Sequence, residues 1–361
     1  MTERHVDVVL DGLLDAPLKD ERALMEFPFF ALTKRPRTTP FVYDDGAVRV
    51  EVQPGHKGIA TIWDKDVLIY CASVINDRIE RGLEVQPRLR FSAFEFLRLA
   101  GRSTSARGYA LFLDALDRLQ STAVRTTITS GHEDIEERRA FSWVDKYRIV
   151  TRRNKAGRQV MAAVEVWLND WLWRALVENR RVLTISPDYF ALEMGLERRL
   201  YELARKHCGR QREWRIGLVR LAEKCGSARG LKQFRAEIAK IIERDRLPEY
   251  VMAIETGTSA EEGLAGRLVR FAPRPGLVLP LDPKEELLSP PSRAPSQARS
   301  ATLELRLRTI EAARCAHPGY DIDALVCAWR GWTDSRGNGL RDPDRAFLAF
   351  CRTYTRNHPL G

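Results

Sequence analysis

Nowhere does this chain approach the ~20 consecutive apolar residues needed to cross a bilayer, so a soluble protein without a membrane partner is expected. Its start, Met1-Thr-Glu-Arg-His-Val-Asp, alternates charges and lacks the basic and then apolar blocks of a secretory signal, and export is not expected. There is no Cys-x-x-Cys pair. The six cysteines, at 71, 208, 225, 315, 327 and 351, are scattered without a zinc-type histidine spacing and read as reduced, mostly buried thiols of a cytoplasmic protein. The six histidines are equally dispersed, so no local metal site is indicated. Missing too are the Gly-x-x-x-x-Gly-Lys-Ser/Thr of a P-loop, a His-x-His pair for metal-assisted strand nicking and the Gly-x-Ser-x-Gly elbow of a hydrolase. Gly55-His-Lys-Gly-Ile lies between a strand and a Trp-containing segment and reads as a turn. These absences leave no catalytic residue and no cofactor or metal to assign; an enzyme is not expected.

What the chain has in excess is positive charge. Lys and Arg outnumber Asp and Glu by 59 to 49, a formal charge of +10, with a pI near 9.5, which suits a polyanionic partner. A length of 361 residues is too great for one ordinary core and fits two domains with appendages.

The patterning predicts an α+β chain of two tandem winged-helix domains, a Pro-rich linker and a small C-terminal helical region. Residues 1–24 form an N-terminal extension, whose stretch Val6 to Leu14 could be a frayed helix or docking arm, and 25–180 the first domain. Phe27-Pro-Phe-Phe-Ala-Leu looks strand-like; Thr39-Pro-Phe-Val-Tyr and Val48-Arg-Val-Glu-Val flank an Asp44-Asp-Gly turn as a hairpin. A helix is expected from Asp64, as cap, to Arg81, ended by Gly82. Ser92 can cap a short helix stopped near Gly101, and Ser103 or Thr104 a longer one to about Gln120, which makes a helix-turn-helix. The β-branched runs after it, from Ala123, Phe141, Tyr147 and Val160, read as wing strands, with Thr151 to Arg158 as a basic hairpin tip. Trp167, Trp171 and Trp173 are expected to cover core or an interdomain seam rather than to stack on bases.

The order then repeats over 181–273. Ser186-Pro caps one helix to Cys208-Gly, Leu218 to Lys224 forms a second, Ser227 caps a third, and Tyr250 to Ile254 and Arg267 to Phe271 supply two wing strands. Ser105-Ala-Arg-Gly aligns with Ser227-Ala-Arg-Gly, placing Phe112 over Phe234, Leu116 over Ile238 and Leu119 over Ile241, which argues for a duplicated unit. Residues 274–300, rich in Pro, Ser and Ala, read as a flexible linker, and 301–361 as a helical region too small for a robust core without a partner.

The start of the second helix of a helix-turn-helix meets the major groove, so its exposed basic and small polar residues are the candidates for DNA contact. In the first unit these are Arg102, Ser103, Thr104, Ser105 and Arg107; Asp114 and Asp117 make the rest of that helix acidic, so contact should be tip-first. In the second they are Arg229, Lys232, Gln233, Arg235 and Lys240, the better candidates for base reading. Arg152, Arg153, Lys155 and Arg158 at the wing tip suit phosphate or minor-groove contact.

Phe27-Pro-Phe-Phe-Ala-Leu-Thr-Lys, Gly58-Ile-Ala-Thr-Ile-Trp-Asp-Lys-Asp-Val-Leu-Ile-Tyr and the duplicated helix-turn-helix together resemble the plasmid replication initiator protein A family, over roughly residues 25–275. The resemblance implies a bacterial protein that binds repeats in double-stranded DNA at a plasmid origin, helps melt adjacent DNA, recruits the host initiator and helicase, and acts as a monomer or homodimer. It assigns 102–107 and 229–240 to the two recognition helices. A winged-helix transcriptional repressor and a non-DNA-binding adaptor stay open as alternatives on the residues alone.

Overall fold

The structure is a computed structural model. It describes residues 16–128, 139–153, 159–256, 266–277 and 343–357, with 309, 313, 316, 325, 326 and 329. Residues 1–288 and 289–361 form two compact units. In the first, helices and sheets mix. No helix among the described residues is long and apolar enough to cross a membrane.

The chain enters through strand β1 (Lys19–Glu21) and a one-turn helix α1 (Arg22–Glu26), capped by the Glu21 carboxylate, which accepts from the Ala23 and Leu24 amides. This corrects the expected extension up to residue 24. Residues 18–21 and 23–25 are buried, because β1 pairs antiparallel with β9 (Val182–Thr184) and Asp20 has a buried ionic partner in Lys65. The segment after α1 is not a strand. Phe29 and Phe30 are consecutive yet both buried, so the alternation a sheet demands is absent; both rings pack on Trp143 at 5.1 Å. The hairpin is as expected: β2 (Phe41–Asp44) and β3 (Arg49–Gln53) flank Gly46, whose φ of +83° only glycine adopts without strain.

Helix α2 (Asp66–Glu80) ends at Gly82 (φ +68°), where the Leu83 amide donates back to the Arg78 carbonyl. Its cap position is Lys65 and not Asp64, whose carboxylate instead accepts from the Thr61 amide and from Arg118. Strand β4 (Arg88–Phe91) leads to α3 (Ala93–Leu99), capped by Ser92, and α4 (Ala106–Ser121). The cap of α4 is Ser105, one or two residues later than expected; its hydroxyl accepts from the Gly108 amide.

The runs after α4 go to two different sheets. β5 (Ala123–Thr126) and β6 (Arg139–Phe141) extend the hairpin into a sheet ordered β2-β3-β5-β6, so they are not wing strands. β7 (Val144–Arg153) and β8 (Gln159–Leu168) pair with β4 in the order β4-β8-β7. Helix α5 (Asp170–Val177), capped by Asn169, follows β8, and Trp171 on it is buried against Phe141 at 5.1 Å.

The helix expected over 187–208 is two elements. Ser186 caps a 3-10 turn (Pro187–Ala191), the chain then runs extended through Leu192 (ψ 119°), and α6 (Gly195–His207) starts afresh after Met194. Then come β10 (Trp214–Gly217), α7 (Leu218–Lys224), α8 (Leu231–Arg244), β11 (Tyr250–Thr256) and β12 (Arg267–Pro273), in a sheet ordered β10-β12-β11. The two halves thus share one plan: strand, two helices, hairpin, with the first strand beside the last. The expected core register holds, since Phe112, Leu116 and Leu119 are buried in one cluster and Phe234, Ile238 and Ile241 in another.

The second unit contains α9 (Pro343–Asn357). Phe347 and Cys351 on it are buried with Ala313, Leu325 and Trp329, whose ring meets Phe347 edge-on at 5.4 Å. Cys71, Cys208, Cys225 and Cys351 are free and buried thiols. Most of the expected linker (278–300) and the stretch Val6 to Leu14 lie outside the described residues.

Candidate nucleic-acid interface

Around the start of α4 the candidate residues divide. Ser103, Thr104, Ser105 and Arg107 are exposed, and Arg107 has no ionic partner among the described residues. Gly108 is forced by packing: a Cβ there would sit 1.8 Å from the Ser103 carbonyl oxygen, because the turn folds back over the first turn of the helix. Arg102 is a correction. Its guanidinium donates to the Trp63 carbonyl and to Asp66 at 2.7 Å, and lies over the Phe96 ring, so it holds the turn to α2 and is not available as a free contact. The acidic face of α4 is also not bare. Lys57 bridges Asp114 (2.6 Å) and Asp117 (2.5 Å), and the Tyr147 hydroxyl donates to Asp117. Those bonds, to Asp114 first, raise the Lys57 ammonium to about 12. Burial pushes Asp117 upward, but Lys57 and Tyr147 outweigh it and hold the carboxylate below its usual range. The turn at Gly55 to Gly58 is therefore a clamp on α4, fitting its reading as a turn.

The second Ser-Ala-Arg-Gly does not open a helix. Gly230 is the cap residue of α8, and Ser227 to Arg229 form a loop in which the Arg229 amide donates to Ser227 Oγ at 3.3 Å. Arg229 pairs with Glu237 at 2.8 Å. Opposite the buried Phe234, Ile238 and Ile241, the side chains of Lys232, Gln233 and Lys240 are exposed and have no described partner. Arg235 is half-buried, and its Nε has no hydrogen-bond partner among the described residues. At the β7–β8 hairpin, the backbone of Arg152 pairs with Val160 and that of Arg153 with Gln159; Lys155 and Arg158 lie outside the described residues.

Between the two helix starts runs a network of buried charge that the sequence did not disclose. Lys65 reaches Asp20 at 2.6 Å and Glu202 at 2.7 Å, and Arg199 reaches Glu202 at 3.0 Å. Next along the chain, Asp66 takes Arg102 on one oxygen and Arg198, from α6, on the other at 2.6 Å. The only hint was the run Asp64-Lys-Asp at the mouth of an apolar helix. Burial raises the Asp20 carboxyl to about 7, against the lowering pull of Lys65. Glu26 is the opposite case. Burial favours its neutral form, yet contacts from His207 and Lys224 win and hold it well below the usual carboxylate range.

Residues 19–252 match the replication initiator protein A family. The chain belongs to that family. A protein of Wigglesworthia glossinidia brevipalpis described as "Putative replication protein" is 32% identical over 243 residues, 67% of this chain and 86% of that one. Among solved structures, domains 2 and 3 of RctB share 13% identity at a TM-score of 0.49, covering 68% of this chain and 94% of that one. The Pi initiator protein in complex with iteron DNA shares 13% at 0.43, covering 66% and 98%. The resemblance carried by Phe27 to Lys34 and Gly58 to Tyr70 is thus borne out, and family membership makes this a DNA-binding protein of replication initiation.

Proposed function

We propose that the protein is a sequence-specific initiator of plasmid replication that holds double-stranded origin repeats with two tandem winged-helix units, 25–180 and 181–273. Its work in the bacterial cytoplasm is binding and not catalysis. The reading rests on α8. Behind it stand α7 and a three-stranded sheet, its inner face is core, and its outer face offers Lys232, Gln233 and Lys240, donors that no acceptor among the described residues occupies. Gln and basic side chains on such a helix suit base edges, with Gln bidentate to adenine. On this reading α4 touches DNA through Ser103, Thr104, Ser105 and Arg107, and the Arg152 to Arg158 hairpin lies on phosphates. The region 301–361, beyond the linker 274–300, recruits the host initiator and helicase, and a homodimer is the form that represses.

The test is a titration of the protein on repeats flanking its gene and on random duplex. Gln233→Ala and Lys232→Ala should weaken the specific complex by about 1–3 kcal/mol each, roughly 5- to 150-fold, and leave random binding nearly unchanged. Equal losses on both duplexes would refute base reading by α8.

A further inference from the structure

The segment from Pro28 to Pro40 belongs to no helix and no sheet strand, yet it is seated against three separate parts of the unit, and at each seat a glycine makes room. Gly226 (φ +63°) lies under Pro28, where a Cβ would come within 2.8 Å of the proline ring. At Gly195 a Cβ would stand 2.1 Å from the Leu32 carbonyl oxygen, and at Gly58 (φ +85°) 2.7 Å from Pro36 and 2.9 Å from the Arg37 carbonyl oxygen. Backbone bonds complete the seating: the Ala31 amide donates to Ala60 at 3.0 Å and the Ile59 amide to the Arg37 carbonyl at 2.7 Å. The segment is thus a fixed strap laid across both halves.

Two clefts border the strap. One, about 460 Å³, runs beside the start of α4 and includes Ser105 and Arg107. The other, about 350 Å³, runs to the turn before α8 and includes Ser227 and Arg229. Lys34 and Trp63 line both, so the clefts meet there, and Arg37 lines the second. Three carboxylates share the lining. Asp64 is held by Arg118 at 2.7 Å, Glu237 by Arg229 at 2.8 Å, and Glu193 lies 3.5 Å from Arg246. Lys34, Arg37 and Arg107 have no carboxylate among the described residues: Lys34 stands 5.5 Å from the Trp63 ring centroid, and Arg37 donates only to the Thr39 hydroxyl and the Pro40 carbonyl. The path from one helix start to the other therefore carries uncompensated positive charge.

We propose that this path is a third DNA contact, a seat for the sugar–phosphate backbone of one strand of the duplex where it passes between the stretches faced by α4 and α8. The proposal rests on the reading of those helices as DNA-binding and adds a seat that neither supplies. Phosphate contacts fix register and orientation without reading sequence, and each adds about 0.9 to the slope of log K against log salt. A strap held at three points presents its cations already in place.

Salt titrations of full-length protein on repeat-bearing and on random duplex test it. Lys34→Ala with Arg37→Ala should lower the slope by about 1.8 and weaken both duplexes alike, leaving their ratio intact. Lys34→Glu, at an exposed side chain, should do the same in direction without touching the fold. Arg35→Ala removes an equal charge one residue from Lys34 but outside both clefts, and should change the slope by less than half as much. The proposal is overturned if Arg35→Ala lowers the slope by as much per charge removed as the Lys34→Ala and Arg37→Ala pair, if the slope is unmoved in that pair, or if the effect appears only on single-stranded oligonucleotide. Loss of specificity in Gln233→Ala with an unmoved slope in the strap variants would sink the seat alone; no effect from either set would sink the DNA reading of both helices.

Discussion

Replacing Lys65 by Met removes the one cation that pairs with Asp20 among the described residues, at almost constant side-chain volume. The ammonium is fully buried, 2.6 Å from Asp20 and 2.7 Å from Glu202. After the substitution Glu202 keeps Arg199 and the Tyr189 hydroxyl, whereas Asp20 keeps only the neighbouring Glu21 amide among the contacts described. Breaking a buried ion pair from one side costs about 3–5 kcal/mol. The lower end applies, because burial already raises the Asp20 carboxyl to about 7 and the orphaned acid can take up a proton near neutrality. At ~2–4 °C per kcal/mol for a domain of this size, a loss of ~3 kcal/mol lowers Tm by roughly 6–12 °C. Thermal unfolding followed by circular dichroism at pH 7, with urea titration as a second measure, reads this directly. Asp20→Asn added to Lys65→Met should recover at least about 1 kcal/mol, since the orphaned charge is then gone. A Lys65→Met protein within about 1 kcal/mol of the parent would show that these groups are solvated, and the account of the buried network would be wrong.

Asp20 also sets a pH dependence. Its folded value lies above the ordinary 3.8, so its contribution is fully present below that value and is lost as pH rises through about 7. Asp20→Asn should therefore lose less stability than the parent between pH 4 and 7.5 in denaturant titrations; a steeper loss would contradict the sign. The two Ser-Ala-Arg-Gly copies should answer differently to one substitution. Gly108→Ala drives a Cβ into the Ser103 carbonyl and should cost about 1–3 kcal/mol, whereas Gly230→Ala meets nothing within 4 Å and should cost under about 1 kcal/mol at a cap position. Similar costs at both would mean that the tetrapeptides play one role after all.

The parts of the fold written in local pattern were legible. The Asp44-Asp-Gly hairpin, the Ser92 and Ser186 caps and the glycine stops at 82 and 101 follow from side-chain spacing and from positions where φ is positive. So does the matched register of Phe112 with Phe234. What failed depended on partners distant in sequence. The β5 and β6 residues suit a strand anywhere, and only the N-terminal hairpin decides which sheet takes them. Tyr189, Leu192 and Leu196 keep a helical period across a break, because residues on either side of Leu192 fill the same cluster. Ser227 carries the cap chemistry of Ser105, but its hydroxyl accepts from Arg229, two residues on, and the helix begins later. Arg102 looked like a free cation because Asp66, which takes it, lies 36 positions away. Lys34 and Arg37 went unremarked because nothing local distinguishes them from ordinary surface charge; their setting is made by Gly58, Gly195 and Gly226.

Asp66 joins the turn ahead of α4 to α6 through two oxygens of one carboxylate. A flexible connection would let the two helix starts drift and average over many separations. A buried carboxylate gripped from both sides admits one. On the proposed reading, in which each half holds duplex, the two stretches would be held at a fixed interval and the molecule would act as a gauge, sensitive to how far apart two marks lie as well as to what each mark says.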